Sequence, residues 1–259
     1  MQPPAVHGET ITIPAADGDT ECYVARPDPA TDAPLPGVLL ISDLIGLRPR
    51  IRTMADRIAS WGHVVAAPHL FYRHGPAADW APPEEDLADP EKLPRFFASA
   101  LPKVTSLSRD RVRADLEAYV DTLKGLPGVA DGPIGVTGYC MGGRYALEIA
   151  AARPDDVAAV GMFHTGGLVT DSPESPHLHL VGIRAFVLAI HADNDRSLPP
   201  EAIARFEHAL TSSGVAHSTT VYPGAAHGYA MSDVPAYHHE ACEHHFAELE
   251  ALFARTLHA

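Results

Sequence analysis

The chain has 259 residues, 46% of them hydrophobic and 20% charged, proportions that suit a globular protein with a sizeable core. Its 19 basic and 33 acidic residues leave a formal net charge of −14 with histidine neutral, which excludes a general nucleic-acid or anionic-membrane surface near neutral pH. The longest apolar runs, such as Val157 to Phe163 and Ala185 to Ile190, fall far short of the roughly 20 residues that a bilayer span requires.

In chain order, the opening residues Met1 to Ile11 lack the charged and apolar regions of a secretory signal, so a cytoplasmic location is expected. Glu9 to Pro14 and Glu21 to Pro27, around the turn residues Asp17-Gly18-Asp19, predict an antiparallel hairpin. Gly37 to Ser42 reads as a buried strand, Ile51 to Ser60 as an amphipathic helix and His63 to Ala67 as the next strand, stopped by Pro68. His74 to Ser108, rich in Pro, Ala and acidic residues, breaks this rhythm and is long for a loop. It fits a lid, a binding loop or a locally helical cap as well as a plain surface excursion. Helices are expected at about Arg109 to Lys124, Gly142 to Ala152, Pro200 to Ser213 and Pro235 to Leu257. Strands at Ile134 to Gly138, Val157 to Phe163, Ala185 to His191 and His217 to Tyr222 alternate with them. This alternation predicts an α/β fold, a mostly parallel central sheet with helices on both faces, in one domain over residues 1–259.

Cys22, Cys140 and Cys242 are too few and too scattered for a disulfide framework, and an odd number leaves at least one free thiol. Cys140 lies in Gly138-Tyr139-Cys140-Met141-Gly142-Gly143, where the strand IGVTG runs into a helix. A nucleophile at such a turn sits on a strained backbone, at a cost of about 1–3 kcal/mol, and needs small neighbours two residues away on each side. Gly138 and Gly142 meet that need. The turn lifts Sγ clear of the sheet and aims the Met141 N–H toward a developing oxyanion. Alone the pattern is short, and a buried cysteine is more often a small core hydrophobe. An elbow nucleophile also needs an acid and then a histidine, each after a later strand. The strand AFVLAIH leads into Asp193-Asn194-Asp195, and HSTTVY leads toward His227. Local chemistry leaves both aspartates open as the acid.

The blocks GYCMGG, DRSLPPE and YPGAAHGY resemble three signature blocks of the dienelactone hydrolases, the carboxymethylenebutenolidase-like cysteine branch of the α/β-hydrolase superfamily. Ile41 to Gly46, followed by a helix and HVVAAPHLFYR, is similar to a fourth, and the likeness runs from Ile11 to Leu257. The resemblance implies an α/β-hydrolase fold with a short cap at about 74–108 and no cofactor. It implies Cys140 as nucleophile, His227 as base and acid, and Asp195, which stands before x-x-Leu-Pro, as the orienting carboxylate. The N–H groups of Met141 and Leu44 would form the oxyanion hole. The family's loop glutamate, which helps to form the thiolate, is replaced here by Asp43. Dienelactone-cleaving members hold a substrate carboxylate with arginines. One of these, four residues after the histidine, is Met231 here, and for the other, in the cap, Arg73, Arg95 and Arg109 are candidates. Losing a bidentate clamp at Met231 points away from dienelactone itself. Tyr139 is a further candidate for the pocket wall.

The expected activity is hydrolysis of an activated ester or enol lactone through a thioacyl-enzyme, by a monomer or homodimer with no nucleic-acid or membrane partner. The same residues suit an acyltransferase, or a non-catalytic binding protein in which Cys140 is a redox-sensitive thiol. His238, Cys242 and His245 would share one helix face, but without the fourth ligand and spacing of a closed zinc site no metal is expected. Cys22 reads as a packing residue.

Overall fold

The computed structural model describes residues 5–29, 33–106 and 108–257, so Met1 to Pro4 of the opening stretch and residue 107 of the expected cap lie outside the described residues. The chain divides into two compact units. The first reaches to Gly132 and includes Asp233–Pro235; the second takes the remainder.

In the first unit, β1 (Ala5–Ala15) and β2 (Gly18–Asp28) form an antiparallel hairpin in register from Ala5↔Asp28 to Ala15↔Gly18. The turn is therefore Ala16-Asp17, and both strands run further than the apolar alternation suggests. β1 is largely exposed, so ladder hydrogen bonds rather than burial define its ends. β3 (Gly37–Ile41) is wholly buried and leads through α1 (Pro49–Ala59) to β4 (Val64–Pro68), which pairs parallel with β3 and antiparallel with β2. α1 starts on Pro49 and buries Ile51, Met54, Ala55 and Ile58, the i, i+3, i+4, i+7 face of an amphipathic helix.

The insertion is helical for most of its length: α2 (Ala77–Trp80), α3 (Glu84–Leu87) and α4 (Lys92–Thr105). Trp80 organises it. Its ring stacks on Phe71 at 4.3 Å and His74 at 5.4 Å and meets Phe96 edge-on, while its indole N–H donates to the Leu44 carbonyl at 3.1 Å. α5 (Arg109–Gly125) follows, capped by the Ser108 hydroxyl, which accepts from the Arg111 N–H.

The second unit alternates strand and helix: β5 (Ile134–Tyr139), α6 (Met141–Ala152), β6 (Val157–Phe163), β7 (Phe186–Ala192), α7 (Pro200–Ser212), β8 (His217–Tyr222) and α8 (His239–Leu257). Its strands are parallel in the order β5-β6-β7-β8, with Tyr139 level with Phe163, Phe163 with Ile190 and Ala192 with Tyr222. Their carboxyl ends thus stop at one edge, where the loops of an open parallel sheet carry function. α8 begins four residues later than the sequence predicts. His238 supplies the reason: its carbonyl accepts from the Cys242 N–H at 2.9 Å and its Nδ1 from the Ala241 N–H at 3.2 Å, which makes it the cap. Among the described residues, no helix is long and apolar enough to cross a membrane.

Candidate active site

Three loops at the carboxyl edge of the second unit bring Cys140, Asp195 and His227 together. Cys140 stands between β5 and α6 with φ 55° and ψ −119°, a conformation that costs an L-residue about 1–3 kcal/mol. A Cβ on Gly138 would lie 2.1 Å from the Gly142 carbonyl oxygen, so only glycine lets the turn close this tightly. His227, in the loop after β8, places Nε2 at 3.1 Å from Cys140 Sγ and Nδ1 at 2.6 Å from Asp195 Oδ2. Asp195 follows β7, and its other oxygen, Oδ1, accepts from the backbone N–H of Ser197 at 2.8 Å and from the Ser197 hydroxyl at 2.6 Å. Asp193 faces elsewhere: its carboxylate accepts from the Gly224 N–H at 3.0 Å and its own N–H donates to the Ala225 carbonyl at 2.7 Å. The two aspartates that local sequence chemistry left open thus divide into a partner of His227 and a loop tie.

Electrostatics follow this geometry. Burial by itself would push the His227 pKa down, but the bonds to Asp195 and then Cys140 reverse it, to about 10. Burial would likewise raise Asp195, and the contact with His227, joined by Ser197, holds its carboxyl down at about 2. Solvent still reaches the site, since the His227 side chain is 33% exposed.

The dienelactone hydrolase family model matches residues 20–257. This chain belongs to the dienelactone hydrolase family. It is 29% identical over 255 residues to the "Putative carboxymethylenebutenolidase" of Salmonella typhi, covering 97% of this chain and 88% of that protein. The carboxymethylenebutenolidase of Rhodococcus opacus is 28% identical over 195 residues, covering 74% of this chain and 69% of its own. A crystal structure described as "Putative Dienelactone Hydrolase" from Klebsiella pneumoniae superposes with a TM-score of 0.82 at 25% identity, covering 96% of this chain and 99% of that one. The family member described here accordingly has the α/β-hydrolase fold and is an ester or lactone hydrolase.

Other residues singled out in the sequence of this dienelactone hydrolase family member are held in ways that the family blocks do not reveal. In the first unit, Asp43 is buried and gives both carboxylate oxygens to Arg48, at 2.8 and 3.0 Å; Oδ1 also accepts from the Ile45 N–H. Arg48 in turn grips Asp233, so the bonds of Asp43 tie down the loop after β3. Leu44, expected as an oxyanion donor, also belongs to the first unit, with its carbonyl on Trp80. Two of the substrate-arginine candidates lie in the first unit. Arg73 pairs with Asp17 and Asp115, both within 2.6 Å, and Arg95 is exposed on α4 beside Glu91. Tyr139 is corrected: it is fully buried, stacked on Phe163, with its hydroxyl 3.2 Å from His245 Nε2, so it belongs to the core. Met231 is 1% exposed. His245 meets Tyr139, Cys242 Sγ meets the Ala230 carbonyl and His238 caps α8, so the three residues of the metal motif have separate tasks.

Three residues escaped the sequence reading. Ser197 is bound to Asp195. His164 is fully buried at φ 40°, its ring 5.3 Å from that of His227 and roughly perpendicular to it. Arg144, one turn into α6, has no ion-pair partner among the described residues and a buried Nε without an acceptor; its Nη1 lies 3.4 Å from where a Cβ on Gly167 would stand. Only the position of Ser197, two residues after Asp195, carried a signal, since a side chain there can bond back to an aspartate.

Proposed function

We propose that the protein hydrolyses small esters or lactones through a Cys140 thioacyl-enzyme. The reading is carried by the unbroken line of contacts from Cys140 Sγ through His227 to Asp195. A proton on His227 leaves Cys140 as the thiolate, the competent nucleophile. Sγ attacks the carbonyl carbon, and the carbonyl electron pair moves onto oxygen, stabilised by the Met141 N–H at the positive end of α6. Collapse re-forms the carbonyl and expels the alkoxide or enolate, which takes the proton from His227 Nε2. Water then gives a proton to the same nitrogen as it attacks the thioester. The second collapse expels the thiolate and releases the acid. Asp195 stays ionised and stabilises the imidazolium throughout.

Because thiolate leaves the first tetrahedral intermediate more easily than an ordinary alkoxide, enol and aryl esters suit this site and amides do not. Arg144, with no ion-pair partner among the described residues and beside Gly167, adds a preference for acyl groups that carry a carboxylate. Turnover of an aryl-ester and enol-lactone panel, in neutral and carboxylated pairs, tests the reading in wild type, Cys140→Ala and Arg144→Gln. Cys140→Ala should abolish all turnover, and Arg144→Gln should raise KM for the carboxylated member alone, about ten-fold or more. Turnover that survives Cys140→Ala sinks the nucleophile, while equal losses on both members of a pair sink the role of Arg144.

A further inference from the structure

We propose that Ser197 is a positioning residue for the acid of the site: its hydroxyl holds the far oxygen of Asp195 so that the near oxygen stays on His227 Nδ1. The inference rests on reading Cys140, His227 and Asp195 as the triad. A carboxylate turns readily about its last torsion, which is broad and roughly two-fold. Here Oδ1 is pinned by two donors from one residue, the Ser197 N–H at 2.8 Å and its hydroxyl at 2.6 Å, while Oδ2 faces Nδ1 at 2.6 Å. The hydroxyl has a single proton, and Oδ1 takes it. The Ser197 oxygen then faces Nδ1, at 3.4 Å, with lone pairs only, a second and weaker acceptor for the imidazole proton.

The space for that hydroxyl is built into the neighbouring loop. A Cβ on Gly166 would lie 2.2 Å from Ser197 Oγ and 3.7 Å from His227 Cε1, so any side chain there would displace the hydroxyl. The next residue ties the same loop down, since the Gly167 N–H donates to the Ser197 carbonyl at 2.9 Å. Ser197 therefore links the acid, the ring of His227 and the loop after β6. An alanine at 197 would keep the backbone donor and lose only the hydroxyl.

Alkylation of Cys140 by iodoacetamide as a function of pH, followed on the Cys140 peptide by mass spectrometry, reads the hold of Asp195 on His227 without any substrate. It is run on full-length wild type, Ser197→Ala and Ser197→Thr, with kcat and KM measured on one aryl ester. Ser197→Ala should raise the alkylation midpoint by about one pH unit and lower kcat about ten-fold with KM unchanged, as expected for losing one charge-assisted bond. Ser197→Thr, which keeps the hydroxyl, should restore the wild-type midpoint. A midpoint unmoved in Ser197→Ala overturns the proposal whether or not kcat falls, because a merely structural serine would change kcat alone; failure of threonine to restore it does so too. Turnover surviving in Cys140→Ala would instead strike the triad reading, and the alkylation profile would still report on Ser197.

Discussion

At the scale of single residues, the site distinguishes two chemically identical side chains two positions apart. Asp195 spends one oxygen on His227, whereas Asp193 spends its carboxylate on the backbone of the His227 loop. Asp195→Asn would offer Nδ1–H a weaker, neutral acceptor and favour the wrong imidazole tautomer, so kcat should fall about 10³–10⁴-fold with the protein still folded. Asp193→Asn keeps one side-chain oxygen for the Gly224 N–H and should cost less than about ten-fold. Comparing kcat of the two variants, with circular dichroism to check folding, decides between them. A larger loss from Asp193→Asn would mean that the observed contact is not the working one. Since the Asp195 carboxyl is held at about 2, no loss of activity above about pH 4 should trace to its protonation.

At the scale of elements, the nucleophile is a product of how β5 meets α6. With a Cβ on Gly138 only 2.1 Å from the backbone oxygen of Gly142, Gly138→Ala cannot be relieved by a side-chain rotation. The elbow itself must open, and a destabilisation of about 1–3 kcal/mol is expected, read as a lower melting temperature together with loss of Cys140 alkylation. Normal stability in that variant would show that the turn is looser than its geometry implies. The same elbow explains which parts of the molecule were legible in the sequence. Buried parallel strands such as Val157–Phe163 read clearly because their apolar runs are bounded by turn residues, and the glycines around Cys140 read clearly because sterics leave few alternatives. The register of the two aspartates did not, because it depends on where the His227 loop lies. The cap was illegible for a related reason. α2 and α3 span only four residues each, and the Trp80 partners Phe71, His74, Phe96 and Leu44 are gathered from well-separated stretches of chain. Tyr139 misled in the opposite direction: adjacency to the nucleophile suggested a pocket residue, but strand alternation turns its ring into the core.

At the scale of the whole molecule, the 16 histidines determine how the protein meets acid. On the surface, protonated imidazoles offset the net of −14 and so reduce self-repulsion. Buried ones act differently. Burial depresses His69, sends His164 well below the ordinary range with help from the charge on His227, and lowers His191 to about 4. Below about pH 6.5 the unfolded chain binds protons on these rings and the folded chain does not, so their stability is complete above that pH and drains away as pH falls toward 4. His227, raised to about 10, works oppositely: its contribution is whole below about pH 6.5 and is lost as pH rises through about 10. Asp195 gives way only as pH falls from 3.8 through about 2. Acid sensitivity between pH 6.5 and 4 therefore belongs to the buried neutral rings. His191 is the cleanest probe, because it packs against Phe206 and neither ring nitrogen has a partner among the described residues. Melting temperatures measured at pH 7.5 and pH 5 should differ by several degrees in wild type. His191→Phe should narrow that gap by a few degrees, corresponding to about 2 kcal/mol, because phenylalanine removes a site that the unfolded chain protonates. An equal drop in both proteins would assign the acid sensitivity to other groups.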